Sequence, residues 1–187
     1  MNRIFNKKQI LTIPNLLSLF RLLLIPVIIW LYQCKHDYLA AASVTVLSGA
    51  TDIIDGIIAR KFNMVSDFGK ILDPIADKLT QITVLFCLVS RFPVMALPLS
   101  ILIVKEIIAA ITNMLTIKKT DKVMGAVWHG KITTILLYAM MIIHLIWFNI
   151  SDIASNILIG ICTAMMLLSA ILYGARNIKA IRQNKQP

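Results

Sequence analysis

Acidic residues recur at regular spacing in a strongly apolar part of this chain, the stretch SGATDIIDGIIARKFNMVSDFGKILDPIADKLT at residues 48–80. Asp52 and Asp55 are three residues apart and Asp73 and Asp77 are four apart, so each pair shares one face of a helix. Carboxylates that face each other repel unless protons or cations lie between them. Oxygen-only ligands suit hard ions such as Mg²⁺ or Mn²⁺, and paired metal ions recur in enzymes that displace groups at phosphorus. The spacing therefore predicts a divalent-metal site that uses all four acids.

Two other interpretations of these acids are open. They could form buried ion pairs with Arg60, Lys78 or Lys105, or they could line the ion path of a metal-ion transporter. A transporter needs polar groups across the whole membrane, whereas the outer halves of these two segments offer only Ser, Thr and Gln. The pattern thus favours a site near one face of the membrane. Arg21, in an earlier apolar segment, is expected to snorkel or to pair with a carboxylate.

The elements that must position these acids are membrane helices. The chain has 187 residues, is 58% hydrophobic and has a mean hydropathy of +0.81, above the roughly 45–50% apolar content of soluble domains. Apolar runs of about 20 residues are long enough to span a bilayer. We predict an all-α polytopic membrane protein, a single six-helix domain over residues 1–187 with a short interfacial segment at 2–12. The predicted spans are 14–33, 39–59, 69–90, 95–116, 126–148 and 153–174.

The charge pattern predicts how these helices are oriented. The formal net charge is +10, but Lys and Arg lie in short clusters between apolar runs, which indicates anionic membrane lipid and not nucleic acid as the partner. The loops on one side carry only Lys35 and Arg91. The positive-inside rule therefore places both termini and the acid site at the cytoplasmic face of the cell membrane. The three cysteines have no paired spacing, which favours small buried side chains over a disulfide or a metal site.

The acidic stretch also carries a longer pattern that resembles the signature of the CDP-alcohol phosphotransferase family, D-x2-D-G-x2-A-R-x8-G-x3-D-x3-D. The matching positions, with every spacing intact, are Asp52, Asp55, Gly56, Ala59, Arg60, Gly69, Asp73 and Asp77. The first apolar run, IPNLLSLFRLLLIP, also resembles the first span of that family. The resemblance implies a dimeric membrane enzyme that moves a phosphatidyl group from CDP-diacylglycerol to an alcohol and releases CMP.

The resemblance also implies a role for each matching position. The four acids would bind two divalent ions, Mg²⁺ or Mn²⁺, and Asp77 would in addition act as the general base that takes the proton of the acceptor hydroxyl. The nucleotide-binding residues would be Asp52, Asp55, Gly56, Ala59, Arg60 and Gly69.

The acceptor is indicated by a weaker resemblance, to the phosphatidylglycerophosphate synthases of the family, which use glycerol 3-phosphate. Lys105, His129 and Lys131 would then bind the acceptor phosphate, because lysine serves as a phosphate-binding point charge. The chain departs from that pattern, since Lys105 replaces an Arg, Asn113 replaces a second Arg and Thr133 replaces a Lys. The loss of arginine forks weakens the case for a dianionic acceptor. A CDP-alcohol-type cardiolipin synthase, with phosphatidylglycerol as acceptor, is the alternative.

Overall fold

The computed structural model describes residues 12–62, 69–120, 128–147 and 149–183, and within them the side chains at positions 13, 59, 60, 70, 71, 112–120, 129 and 177–183 are not described. The described residues contain six α-helices and no strand, which confirms the predicted all-α polytopic fold. The helices are α1 (Ile13–Ile29), α2 (Tyr38–Lys61), α3 (Gly69–Val89), α4 (Ala96–Thr120), α5 (Trp128–Ile146) and α6 (Asp152–Gln183). A π-helical turn, Trp30–Cys34, extends α1, and a 3₁₀ turn, Pro93–Met95, precedes α4.

The predicted spans agree with these helices, and the largest difference is at the last one. The prediction ended near residue 174, whereas α6 continues to Gln183. The added residues are mainly Arg, Lys, Ala, Ile and Gln, which favour helix, and no Gly or Pro interrupts them. A drop in hydropathy therefore ends the apolar run without ending the helix. The interfacial segment predicted at 2–12 lies outside the described residues, apart from Thr12.

Helices long and apolar enough to cross a membrane number four among the described residues: Pro14–Cys34, Tyr38–Ile58, Pro93–Ile111 and Asp152–Arg176. Gly130–Ile146 is a shorter apolar helix. Helix α3 is not among them because Lys70, Asp73, Asp77 and Lys78 all lie within it. Many large apolar side chains point outward, for example Leu23 and Ile53, as expected of surfaces that contact lipid. Four charged residues thus interrupt the apolar surface of the helix that carries Asp73 and Asp77.

The chain divides into two compact units, Met1–Arg91 with Leu145–Phe148, and Phe92–His144 with Asn149–Pro187. In the first unit α1 packs against both α2 and α3, and these two contact each other to a smaller extent. Buried alanines, Ala41 and Ala42 on α2 and Ala76 on α3, provide flat surfaces on which helices approach closely. Helix α1 is therefore the element that joins the two acid-bearing helices.

A short connection sets where α2 begins. His36 lies in the left-handed region with φ 53°, a conformation that non-glycine residues adopt mainly in tight turns. The carboxylate of Asp37 then accepts a hydrogen bond of 2.9 Å from the backbone N–H of Ala40 and caps the N-terminus of α2. Cys34, at the end of the π-helical turn, is exposed, whereas Cys87 and Cys162 are buried. The expectation of a buried side chain is wrong for Cys34 because the turn carries it out of the helix packing.

In the second unit α4 packs against α6, and a buried histidine links α5 to α6. The imidazole of His144 lies 2.8 Å from the carbonyl oxygen of Met140 through Nδ1 and 3.0 Å from the hydroxyl of Ser155 through Nε2. The rings of Phe92 and His144 pack edge to face, with their centroids 4.9 Å apart. Both ring nitrogens are therefore satisfied, as a buried imidazole requires.

Candidate functional site

Arg21 on α1 holds the two acids of α2. Its Nη1 donates to Oδ1 of Asp52 and its Nη2 donates to Oδ2 of Asp55, each at 2.6 Å. The side chain of Arg21 is 0% exposed and that of Asp55 is 3% exposed, whereas Asp52 is 41% exposed. The spacing of three residues places both carboxylates on one face of α2, so a single guanidinium fork reaches both. One end of this acid pair is buried and the other is open.

One turn earlier on α1, Ser18 meets the first acid of α3. Its hydroxyl donates to Oδ1 of Asp73 and lies 3.1 Å from the carbonyl oxygen of Pro14. Ser18 is fully buried. Because Ser18 and Arg21 are three residues apart, they project from the same side of α1. One turn of α1 therefore brings Asp52, Asp55 and Asp73 into one cluster from two different helices.

Asp77 is held by side chains of its own helix. The amide nitrogen of Gln81 lies 3.0 Å from Oδ1 and 2.9 Å from Oδ2 of Asp77. Nζ of Lys78 lies 3.4 Å from Oδ2 of Asp77 and 3.3 Å from the amide oxygen of Gln81. Gln81 is fully buried. The amide thus bridges the carboxylate and the ammonium, which fixes the plane of the Asp77 carboxylate.

The ion-pair interpretation is confirmed in part. Lys78 lies beside Asp77, as that interpretation suggested. Lys105 instead contacts its neighbour Glu106, with Nζ 3.2 Å from Oε1. Arg21 is the cation between Asp52 and Asp55, so of the two expectations for this residue the pairing with a carboxylate is confirmed.

The donor set fits a hard divalent cation, since every candidate ligand is a carboxylate oxygen. Among the described residues, however, no three His, Cys, Asp or Glu side chains are grouped closely enough to hold a metal ion. Arg21 lies at the pair that would form one half of such a site, and it contacts one oxygen of each carboxylate. Arg21 and Lys78 thus supply positive charge to Asp52, Asp55 and Asp77.

The predicted nucleotide-binding residues continue along the same helix face and across the connection to α3. Gly56 follows Asp55 in α2 and is partly exposed, and Gly69 is buried as the first residue of α3. Ala59 and Arg60 belong to the last turns of α2, and their side chains lie outside the described part. Neither glycine carries a side chain that would keep a ligand away from the backbone. Nucleotide binding by these residues stays a prediction.

The predicted acceptor-binding residues belong to the second unit. Lys105 lies in α4, and His129 and Lys131 lie in the first turn of α5. Lys131 is exposed, and the side chain of His129 is outside the described part. Thr133, which stands where the related pattern has a lysine, is buried with its hydroxyl 3.5 Å from the carbonyl oxygen of Met165 on α6. That position therefore serves helix packing in this chain, and acceptor binding stays a prediction.

Sequence reasoning did not identify Gln81 or Ser18 as partners of the acids, and it left the partner of Arg21 open. A signal for Arg21 was present, because its position about 12 Å into α1 matches the depth of Asp52 in α2. An ionised side chain at such a depth requires a partner. Gln81 could also have been inferred, since it is four residues after Asp77 on the same helix. No comparable signal pointed to Ser18.

Comparisons with known proteins come from a family model and from individual relatives. The model described as CDP-alcohol phosphatidyltransferase matches residues 11–173. A CDP-diacylglycerol--glycerol-3-phosphate 3-phosphatidyltransferase of Pseudomonas fluorescens is 38% identical over 104 residues, which cover 54% of this chain and 53% of that protein. A protein of the same name from Bacillus subtilis is 29% identical over 192 residues, covering 91% of this chain and 97% of that protein.

A third relative carries a different activity in its name. The cardiolipin synthase (CMP-forming) / mitochondrial hydrolase fusion protein of Schizosaccharomyces pombe is 45% identical over 86 residues, or 46% of this chain and 14% of that protein. This chain therefore spans about half of the Pseudomonas fluorescens protein and a smaller part of the Schizosaccharomyces pombe protein.

Proposed function

This chain belongs to the CDP-alcohol phosphatidyltransferase family, and from that premise we propose that it transfers a phosphatidyl group from CDP-diacylglycerol to sn-glycerol 3-phosphate. The products would be phosphatidylglycerophosphate and CMP. One observation carries the proposal: acids of the complete family signature, Asp52, Asp55 and Asp73, meet around a single turn of α1 although they come from two helices. A site on membrane helices suits a lipid substrate, because the acyl chains stay in the bilayer while the headgroup reacts.

The family is generally dependent on divalent metal, and we propose Mg²⁺ or Mn²⁺, as a pair of ions. Asp52, Asp55, Asp73 and Asp77 would hold them. Arg21 contacts one oxygen of Asp52 and one of Asp55, and the side chain of Asp52 is 41% exposed, so its second oxygen can bind a metal ion. When bound, the ions offset the charge of the diphosphate and of the departing CMP.

A side chain of this protein would accept the proton of the acceptor hydroxyl. The acceptor hydroxyl oxygen forms a bond to the phosphorus that carries diacylglycerol, while the bond from that phosphorus to the oxygen of CMP breaks. Asp77 takes the proton of the hydroxyl as general base. Gln81 holds both oxygens of Asp77 and so orients the carboxylate, and a general base must lie within hydrogen-bond reach of the proton that it takes. Asp77 therefore acts on a hydroxyl that is already held at hydrogen-bond distance.

The nucleotide would be bound by Asp52, Asp55, Gly56, Ala59, Arg60 and Gly69. A guanidinium such as that of Arg60 pairs with phosphate oxygens through two parallel hydrogen bonds, and the glycines let the cytidine approach the backbone.

Lys131 is the strongest candidate for binding the acceptor phosphate. It is exposed at the first turn of α5, whereas the charge of Lys105 is shared with Glu106 at 3.2 Å. His129 lies in the same turn as Lys131. A helix N-terminus adds partial positive charge, which favours a phosphate at this end of α5.

Cardiolipin synthesis, with phosphatidylglycerol as acceptor, is the second candidate function. The chain lacks the arginine side chains expected to bind a dianionic acceptor. Thr133, at one of the changed positions, contacts the carbonyl oxygen of Met165 on α6. The cardiolipin synthase fusion protein of Schizosaccharomyces pombe is 45% identical over its matched region. A diester acceptor carries one charge and two acyl chains, so it needs fewer cations and more apolar access.

The setting we propose is the cell membrane, with the acid site at the cytoplasmic face and the chain acting as a homodimer. The membrane-spanning helices support the first point, and the Lys and Arg asymmetry supports the second. The dimer is proposed from the family resemblance alone.

The test is an acceptor panel with purified protein in detergent. Labelled CDP-diacylglycerol is given with glycerol 3-phosphate, phosphatidylglycerol, serine or inositol phosphate, in Mg²⁺, Mn²⁺ or a chelator, and CMP and lipid products are measured. We expect CMP release with glycerol 3-phosphate and divalent ion only. Cardiolipin formed from phosphatidylglycerol would establish the second candidate. A lack of CMP release with every acceptor would overturn the assignment of a transferase.

A charge variant sharpens the acceptor assignment. Removal of one charge-assisted contact costs about 1.5–3 kcal/mol, or roughly 10- to 150-fold in kcat/KM. Lys131→Gln should therefore raise the KM for glycerol 3-phosphate at least about tenfold and leave that for CDP-diacylglycerol within a few-fold. Lys35→Gln, an exposed lysine that stacks on Trp30, is the matched control and should change neither KM.

A further inference from the structure

We propose that Arg21 is a positioning residue, the resident counter-cation that keeps Asp52 and Asp55 together when no divalent ion is bound. The inference rests on the metal site of the proposed function. It assigns a role to a residue outside the eight signature positions, on a helix that contributes no acid of its own.

The geometry of the guanidinium supports this role. Nη1 and Nη2 of Arg21 each lie 2.6 Å from a carboxylate oxygen, one on Asp52 and one on Asp55. Two parallel charge-assisted bonds of this kind fix the separation and the orientation of the groups they join. Because the fork comes from α1 and both acids come from α2, it also fixes one helix against the other.

The remaining donor of the Arg21 side chain, Nε, is buried and has no hydrogen-bond partner in the described part of the chain. The guanidinium forms ion pairs with two signature acids, Asp52 and Asp55. An arginine buried in this way is costly in a membrane helix unless its charge is offset. Its position is therefore explained by the two carboxylates.

The charge balance gives the physical consequence. Asp55 is 3% exposed, and a buried carboxylate without a partner is strongly destabilising. Bound divalent ions would supply positive charge to the acids, whereas in their absence Arg21 supplies it. Removal of the guanidinium should therefore harm the metal-free protein more than the metal-bound one. By linkage, metal binding must then stabilise an Arg21 variant more than it stabilises the wild type.

The experiment compares thermal unfolding of the full-length protein in detergent, in chelator and in saturating Mn²⁺, for wild type, Arg21→Gln and Arg21→Lys. We expect the Tm of Arg21→Gln to fall by about 5–10 °C in chelator, because the buried carboxylate of Asp55 then lacks a counter-charge. In Mn²⁺ the deficit should shrink to less than half. Arg21→Lys keeps the positive charge but lacks the two parallel donors of a guanidinium, so its Tm should lie between those of wild type and Arg21→Gln. Lys35→Gln, an exposed cation, should change Tm by less than about 1 °C in either condition.

A charge-matched double variant keeps the test decisive where Arg21→Gln alone fails to fold. Arg21→Gln with Asp55→Asn removes one charge of each sign, so its Tm in chelator should exceed that of Arg21→Gln. An equal Tm deficit for Arg21→Gln with and without Mn²⁺, or a double variant no more stable than the single one, would overturn the inference.

Electron paramagnetic resonance measures Mn²⁺ binding directly. It therefore distinguishes a failure of the inference about Arg21 from a failure of the proposed metal site. Wild type that binds Mn²⁺ while Arg21→Gln shows an equal deficit in both conditions would refute the role of Arg21 alone. Wild type that neither binds Mn²⁺ nor gains stability from it would refute the metal site and the inference with it.

Discussion

Asp77 has two contacts with side chains of its own helix, α3. Asp52, Asp55 and Asp73 are contacted from α1, whereas Asp77 is held by Gln81 and Lys78 of its own helix. A carboxylate whose two oxygens are both held by one amide keeps a defined orientation, which suits a group that takes a proton. These contacts therefore distinguish Asp77, the proposed base, from Asp52, Asp55 and Asp73, which would mainly hold metal.

This separation predicts different kinetic defects for two matched substitutions. Asp77→Asn keeps the size of the side chain and removes its basicity, so kcat should fall by about 10²- to 10⁴-fold while CDP-diacylglycerol still binds. Asp55→Asn should instead weaken metal and nucleotide binding together. Steady-state kinetics with a direct CDP-diacylglycerol binding assay distinguish the two. Equal and small losses from both would mean that the acids are structural.

Gln81 should matter for turnover through Asp77. Gln81→Leu has a similar volume but leaves both oxygens of Asp77 without the amide donor. Loss of a group that orients a site residue typically costs about 10- to 100-fold in activity, and we expect this loss in kcat with the KM for CDP-diacylglycerol little changed. Gln33→Leu, at an exposed position in the π-helical turn, is the matched control. Activity unchanged in Gln81→Leu would show that the amide contact is incidental.

At the scale of elements, α1 is the helix on which the site is assembled. It packs against α2 and α3, and two of its side chains, Ser18 and Arg21, contact acids on both. In the second unit the comparable link is His144, which reaches from α5 to Ser155 on α6. Polar contacts of this kind specify which helix faces meet, because an apolar face meets lipid as readily as another helix.

A double-mutant cycle measures the link between α5 and α6. His144→Phe and Ser155→Ala each remove one partner of the 3.0 Å contact, and interhelical hydrogen bonds in membranes contribute about 0.6 and up to about 1.7 kcal/mol. The coupling energy in chemical unfolding of the single and double variants should fall in that range. Substrate KM values should not change, since neither residue belongs to the proposed site. Additive effects of the two substitutions would show that the contact contributes nothing.

For the whole molecule, the proposed function requires that the acid site face the compartment that supplies water-soluble glycerol 3-phosphate. Lys35 and Arg91 lie beyond the ends of α1 and α3 that are remote from the acids. The sparse charge of these loops predicts that they face away from the cytoplasm. The orientation of the membrane protein is therefore testable with the chain's own cysteines.

A membrane-impermeant maleimide should label wild-type protein in intact cells at Cys34, which is exposed, and spare Cys87 and Cys162, which are buried. Phe62→Cys, combined with Cys34→Ser, places a thiol at an exposed position after the end of α2. This variant should be labelled only after the cytoplasmic side is opened. The reverse pattern would place the acid site on the other face of the membrane.

The sequence by itself determined the six helices, the membrane setting and the complete signature. These depend on local patterns: apolar runs of spanning length, and carboxylates three or four residues apart on one helix. The family match over residues 11–173 agrees with that signature. The end of α6 was predicted too early, because hydropathy indicates which residues lie in the membrane and the helix continues beyond them.

Only the tertiary structure decided which groups compensate the acids. Arg21 is 31 and 34 residues from its carboxylates, and Ser18 is 55 residues from Asp73. Such pairs depend on which faces of α1, α2 and α3 pack together, and hydrophobic periodicity does not specify this when all faces of a membrane helix are apolar. The contact of Gln81 with Asp77, four residues apart on one helix, was within reach of the sequence. The depth of Arg21 within α1 indicated that it needs a partner, but its fork to both Asp52 and Asp55 required the packed helices.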